Sequence, residues 1–82
     1  MTGNELIQEL LATETVQKSK IQQHILRNLL ERGSTYGVVI ERSAADVEDL
    51  IITLRQAGFI CESGYTVYGT YKFRIEIPEE DR

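Results

Sequence analysis

The chain has few of the residues that small proteins use to hold themselves together or to perform chemistry. Its 82 residues include one cysteine, Cys61, one histidine, His24, a single proline and no tryptophan. A lone cysteine excludes a disulfide within the chain, and one cysteine with one histidine cannot supply the ligands of a structural zinc site. A domain of this length has a thin core, so we expect self-association to supplement its stability.

Long apolar runs are also missing. No stretch of the sequence approaches the roughly 18 consecutive apolar residues expected of a membrane-spanning helix. The polar start MTGNELIQ lacks the basic and apolar regions of a signal peptide. We therefore expect a cytoplasmic protein that does not contact membranes.

Positive charge is scarce and confined to one segment. The formal net charge is -4, and residues 18–32 are the only basic stretch, with four lysines and arginines against one glutamate. A protein that binds nucleic acid usually concentrates lysine and arginine on one surface, so the acidic balance disfavours that function.

No set of residues predicts catalysis. His24 stands between Lys20 and Arg27 on the polar side of a predicted helix, as expected of a solvated histidine. Cys61, in GFICE, lies among apolar residues without a basic neighbour in sequence, which favours an unreactive buried thiol. The glycines are isolated and do not form a phosphate-binding loop. We predict a protein that is not an enzyme and that has neither a cofactor nor a metal.

The first half of the chain predicts two helices. Thr2 and Glu5 have the spacing of a capping box at a helix start. Threonines and a valine in TETV predict a break near residues 13–15, although a continuous helix of about 30 residues is the alternative. The second helix should end at Arg32, because Gly33 suits the left-handed conformation that follows a helix.

These helices carry more apolar surface than one-sided packing needs. The first has a single stripe, and the apolar residues of the second spread over about half its circumference. The stripe could pack on Ile25 and Leu29 of the same chain, or residues 1–14 could form an oligomerisation arm. Together with Ile52, which projects from the polar side of a later helix, the predicted interface comprises Leu6, Ile7, Leu10, Leu11, Leu26, Leu30 and Ile52.

The second half predicts strand, helix, strand, strand. TYGVVIE is β-branched and predicts a strand over residues 36–41, and Ser43 is the expected N-cap of a helix that ends before Gly58. The segment TYKFRIEIP alternates apolar and charged residues, as in a strand with one solvated face. Residues 1–82 should form one α+β domain with an antiparallel or mixed three-stranded sheet in the order 1-3-2, helices on one face, and a frayed acidic tail at 78–82.

The helix and hairpin of residues 47–77 resemble the recognition helix and wing of a winged-helix DNA-binding domain. Only ten residues separate Gly33 from Ala44, and they predict a strand rather than the preceding helix and turn. Nucleic-acid binding is therefore an alternative hypothesis. Phosphate contacts from the basic residues and stacking by the hairpin tyrosines would involve Lys18, Lys20, Arg27, Lys72, Arg74, Tyr68 and Tyr71.

A third hypothesis is an inhibitor whose acidic surface occupies a basic site on another protein, with candidate residues Asp46, Glu48, Asp49 and Glu62. The segments ILRNLLERGSTYGVVI, VEDLIITLRQAGFICESGY and YKFRIEI give residues 21–77 an architecture that resembles small accessory proteins of tailed bacteriophages. That resemblance implies a virion component or an inhibitor of a host protein, located in the host cytoplasm. Our leading prediction is a self-associating protein-interaction domain.

Overall fold

Three helices precede a small sheet in the chain, and a fourth helix lies between its first two strands. The computed structural model describes residues 2–81, and within them the chain forms four α-helices, three strands and a final 3-10 turn. In chain order these are α1 Gly3–Leu11, α2 Glu14–Gln17, α3 Lys20–Arg32, β1 Ser34–Val39, α4 Glu41–Gln56, β2 Ile60–Tyr65, β3 Tyr71–Glu76 and the 3-10 helix Glu79–Asp81.

Hydroxyl side chains start each of the first three helices. The N–H of Glu5 donates to Thr2 Oγ1 at 3.2 Å, which confirms Thr2 as the N-cap of α1. Thr13 Oγ1 accepts from the N–H of Val16 at 3.3 Å and donates to the carbonyl of Leu10 at 2.7 Å. The predicted break near residues 13–15 is therefore confirmed, and the continuous helix is wrong, because Thr13 ends one helix and begins the next.

The boundary between β1 and α4 differs from the prediction. Gly33 ends α3 with φ of 78°, as expected, but β1 starts directly after it and occupies Ser34–Val39 rather than residues 36–41. The chain then enters α4 at Glu41, so Ile40 is the N-cap and provides no side-chain cap. The prediction of Ser43 as N-cap was wrong, since Ser43 already lies in the first turn, where its N–H donates to the carbonyl of Ile40.

The three strands form one antiparallel sheet in the order β1-β3-β2, which confirms the predicted order. Alternate residues of the central strand, Tyr71, Phe73 and Ile75, are buried beneath the helices. Gly37 of β1 lies opposite Phe73 of β3, and a Cβ at Gly37 would lie 3.2 Å from Cζ of Phe73. Glycine at this position leaves room for the phenylalanine ring.

The core lies between the helices and this inner face of the sheet. Its fully buried side chains come from every long helix and from β3, with Ile7, Ile25, Leu26, Leu29, Val47, Ile51, Leu54 and Ile75 at its centre. α1 packs against α3 of its own chain, and Ile7 of α1 is fully buried. Each such side chain contributes about 1.5–3 kcal/mol on burial, so α1 is an integral part of the domain. The α+β class, with helices on one face, is confirmed.

The C-terminal residues follow directly after β3. The N–H of Ile77 donates to the carbonyl of Gly33 at 2.9 Å and extends the pairing of β1 with β3. Within the predicted tail at 78–82, residues Glu79–Asp81 form a 3-10 turn, and Arg82 lies outside the described residues.

None of the helices in residues 2–81 has the length and apolar character that crossing a bilayer requires.

Candidate interaction surface

The helices cover one face of the sheet and leave the other exposed. We call the uncovered side the outer face. Because side chains alternate along a strand, the residues that follow or precede the buried ones point to this face. It carries Ser34, Tyr36 and Val38 from β1, Ile60, Glu62 and Gly64 from β2, and Lys72, Arg74 and Glu76 from β3.

The centre of the outer face is charged. Arg74, on the middle strand, contacts the carboxylate of Glu76 and lies 3.9 Å from that of Glu62. Lys72 is exposed beside this group. Exposed ion pairs contribute little to stability, but burying them under a partner would cost their hydration. The middle of the outer face is therefore unsuited to a dry interface.

Apolar side chains collect instead along β1. Tyr36 is 83% exposed and Val38 62% exposed, and the extended backbone of Ile40 continues the alternation to a third side chain, 53% exposed. β1 contains no charged residue and no proline. Charged residues and proline are the features by which natural proteins protect edge strands from pairing with another chain. β1 lacks that protection.

The backbone of β1 is also available for pairing. In an antiparallel ladder, residues alternate between those whose N–H and C=O face the neighbouring strand and those whose groups face away. Ile77 donates to Gly33, so the odd-numbered residues of β1 face β3. The N–H and C=O of Ser34, Tyr36 and Val38 consequently point to the free edge, which has no neighbouring strand among residues 2–81.

The opposite edge of the sheet is partly closed. The N–H of Thr66 donates to the carbonyl of Thr70 at 2.8 Å, and the same alternation places the backbone groups of the odd-numbered residues of β2 on its free edge. Arg55, at the end of α4, donates from Nη2 to the carbonyl of Cys61 at 3.1 Å. A guanidinium bound at that carbonyl obstructs an incoming strand and adds a charge to the edge.

Cys61 itself is a half-buried free thiol. Burial raises its pKa, and the nearby positive charge of Arg55 lowers it by a smaller amount. The thiol is accordingly protonated near neutral pH, where a nucleophilic cysteine would need to be a thiolate.

The interface predicted from sequence is largely internal. Ile7 and Leu26 are fully buried in their own chain, so they cannot contact a partner without unfolding. Ile7 belongs to α1 and Leu26 to α3, and these two helices pack against each other. Four more residues of that prediction, Leu6, Leu10, Leu11 and Leu30, are half-buried against the core. Ile52 is the exception, because it remains exposed on α4.

The sequence reasoning missed Tyr36, Val38 and Ile40 as surface residues. Their alternation with Thr35, Gly37 and Val39 was the available signal. That signal is weak, because neither set contains a charged residue that would mark the solvated face of the strand.

The structure does not bring the predicted nucleic-acid residues together. Tyr71 faces the core and packs edge-on against Tyr65 with ring centroids 5.1 Å apart, so the prediction that it stacks on bases was wrong. Lys18 pairs with Glu14 at 2.8 Å. Lys72 and Arg74 lie on the outer face, whereas Lys20 and Arg27 are exposed on α3, which covers the opposite face.

Two further features weaken a winged-helix interpretation. A single helix, α4, connects β1 and β2, so the helix and turn that precede a recognition helix do not occur between these strands. Tyr68 is exposed at the hairpin tip, at the end of the hairpin opposite Glu76. The candidate residues therefore do not line one groove.

The acidic candidates are also dispersed. Asp46 accepts from the hydroxyl of Ser19 at 3.0 Å, and its carbonyl accepts from the side chain of Gln22 at 2.8 Å. These bonds tie α4 to the start of α3. Glu62 lies on the outer face beside Arg74, away from the helical residues Glu48 and Asp49.

Residues 2–81 contain no candidate metal site. No three His, Cys, Asp or Glu side chains there are grouped so that they could hold a metal ion. Every buried side-chain nitrogen and oxygen in that part of the chain has a hydrogen-bond partner. His24 is exposed and lies 3.2 Å from the side-chain amide of Asn28.

Comparison with known proteins adds no functional information. The chain matches no protein-family model, and comparison with curated proteins and with solved structures yields no significant match.

Proposed function

We propose that the chain is a non-enzymatic protein-interaction domain that self-associates through the free edge of β1. The observation that carries this proposal is the coincidence of unpaired backbone groups and exposed apolar side chains on one uncharged edge strand. Strand addition at a sheet edge is a common mode of protein recognition, in which main-chain hydrogen bonds provide affinity and alternate side chains provide specificity.

The chemistry of the edge supports this use. A partner strand would pair with the backbone donors and acceptors of this edge and would cover Tyr36, Val38 and Ile40, which are exposed. Burial of such side chains contributes about 25 cal/mol per Å² of apolar surface removed from water. A partner that paired there would leave the charged centre of the outer face solvated.

The setting of this activity stays a hypothesis. A small self-assembling domain is compatible with a bacteriophage accessory or virion component, the architecture that residues 21–77 resemble. Nucleic-acid binding and inhibition through an acidic surface have less support, because the residues that each would use lie on separate faces.

The first prediction concerns the mass of the protein in solution. We expect sedimentation equilibrium to show a weight-average mass that rises with concentration up to about 100 μM, a range in which micromolar association is visible. Val38→Lys should weaken this association by roughly tenfold or more, since a lysine at the edge opposes strand pairing.

Ile60→Lys is the matched control. Ile60 is 52% exposed on the same face but belongs to the opposite edge strand, so its replacement introduces the same charge away from β1. This variant should associate like the parent protein. A parent protein that stays monomeric at about 100 μM would refute the proposal, and so would equal effects of the two lysines.

A further inference from the structure

We infer that the partner at this edge is a second copy of the chain and that the two β1 strands pair antiparallel about a two-fold axis. The two sheets would join into one, with strand order β2-β3-β1-β1-β3-β2. This inference rests on the proposed self-association and specifies its geometry. An antiparallel pair is self-complementary, because each strand offers the same donors and acceptors to the other.

The alternation of backbone groups restricts how the strands can align. Only the even-numbered residues of β1 direct their N–H and C=O outward, so an even-numbered residue of one copy must lie opposite an even-numbered residue of the other. All allowed alignments therefore place outer-face residues of one copy opposite outer-face residues of the other. An odd alignment would lose the hydrogen bonds entirely.

Among the allowed alignments, we expect Tyr36 to lie opposite Val38 of the second copy. This alignment also brings Ser34 opposite Ile40, so the third apolar side chain of the edge is covered. An aromatic residue opposite a β-branched residue is a favourable cross-strand pair. Placing Tyr36 opposite itself would leave Ile40 beyond the end of the paired region, and placing Val38 opposite itself would leave Ser34 beyond it.

The two sheet edges differ, and this difference limits the assembly to a dimer. Pairing of β1 with β1 uses the open edge of each copy and leaves β2 at both outer ends. There Arg55 occupies the carbonyl of Cys61. A contact that uses the same patch on both subunits closes on itself, whereas two different open edges would allow an unlimited chain of subunits.

Disulfide trapping tests this geometry directly. In a Cys61→Ser background, Tyr36→Cys and Val38→Cys variants with different affinity tags are mixed in a glutathione redox buffer, and the products are identified by mass spectrometry. Residues in a hydrogen-bonded antiparallel pair have Cα atoms about 5.5 Å apart, within the range of a disulfide, whereas diagonal neighbours are about 7–8 Å apart.

We expect the mixed disulfide, which joins the Tyr36→Cys variant to the Val38→Cys variant, to exceed both disulfides between identical variants. An Ile60→Cys variant in the same background controls for random collision, since Ile60 shares the outer face but lies on the other edge. Thermal melting of each variant establishes that it is folded.

The outcomes separate this inference from the proposed function. Cross-linking at positions 36 and 38 well above that of the Ile60→Cys control supports paired β1 strands, and the most abundant disulfide reports their alignment. Cross-linking no higher than the control overturns the inference. If Val38→Lys still weakens association in that case, self-association through β1 stands and only its geometry is wrong.

Discussion

At the scale of single residues, short hydroxyl side chains decide where helices begin, but a serine in a plausible position does not guarantee a cap. Thr2 caps α1, as the sequence predicted. Ser43 does not cap α4, because the extended backbone of β1 enters the helix at Ile40, before the serine is reached. Ser19, which the sequence did not identify, caps α3 and accepts from the N–H of Gln22 at 3.3 Å.

A pair of alanine substitutions distinguishes these roles. Ser19→Ala removes both the cap and the hydrogen bond to Asp46, so it should lower the free energy of unfolding by about 1–2 kcal/mol. Ser43→Ala should change it by less than about 0.5 kcal/mol, as is usual away from such features. Chemical denaturation of the two variants measures the difference. Equal losses would mean that Ser43 contributes to the helix start after all.

At the scale of elements, α1 is part of the core rather than a free arm. Its apolar stripe had two possible destinations from sequence, the same chain or a second one. Ile7 is fully buried within the chain and its neighbours Leu6, Leu10 and Leu11 are half-buried against the core. The helix therefore stabilises the domain without any partner.

Leu10→Asp tests that assignment. It places a carboxylate against the core, so we expect the melting temperature to fall by several degrees, the shift that about 1 kcal/mol or more produces in a small domain. Gln8→Asp, on the exposed side of the same helix, is the control and should melt close to the parent protein.

The association constant of the Leu10→Asp variant provides a second test of the position of α1 in the core. Because the proposed interface lies on β1, Leu10→Asp should leave the association constant unchanged at temperatures where the variant is folded. A variant that kept its melting temperature but lost association would reassign the interface to α1.

The orientation of β3 was easier to predict from the sequence than that of β1. The strict alternation of Tyr71, Phe73, Ile75 and Ile77 correctly predicted the buried face of β3, because a central strand beneath helices must present one apolar side. β1 gave a weaker signal. An edge strand with apolar residues on both faces has no polar side to orient it, and its free backbone is visible only once the strand order and pairing are known.

At the scale of the whole molecule, the difference between the two sheet edges is the feature that would set the size of the assembly. Among residues 2–81 no strand lies beside the free edge of β1, and Ser34–Val39 contains no charged residue. The β2 edge has the guanidinium of Arg55 on one of its outward carbonyls, and its strand contains Glu62. These are protections of the kind that keep edge strands from pairing.

Removing Arg55 should therefore convert a closed dimer into larger assemblies. In Arg55→Ala both edges can accept a strand, so sedimentation velocity at about 100 μM should show species beyond the dimer that grow with concentration. Arg27→Ala removes an equal charge from exposed α3 and should sediment like the parent protein. Adding Val38→Lys to Arg55→Ala closes the β1 edge again and should abolish the species beyond the dimer, because a continuing chain of subunits needs two open edges. If Arg55→Ala alone shows no increase in mass over the parent protein, the guanidinium does not limit assembly, and Glu62 or the shape of the β2 edge must do so.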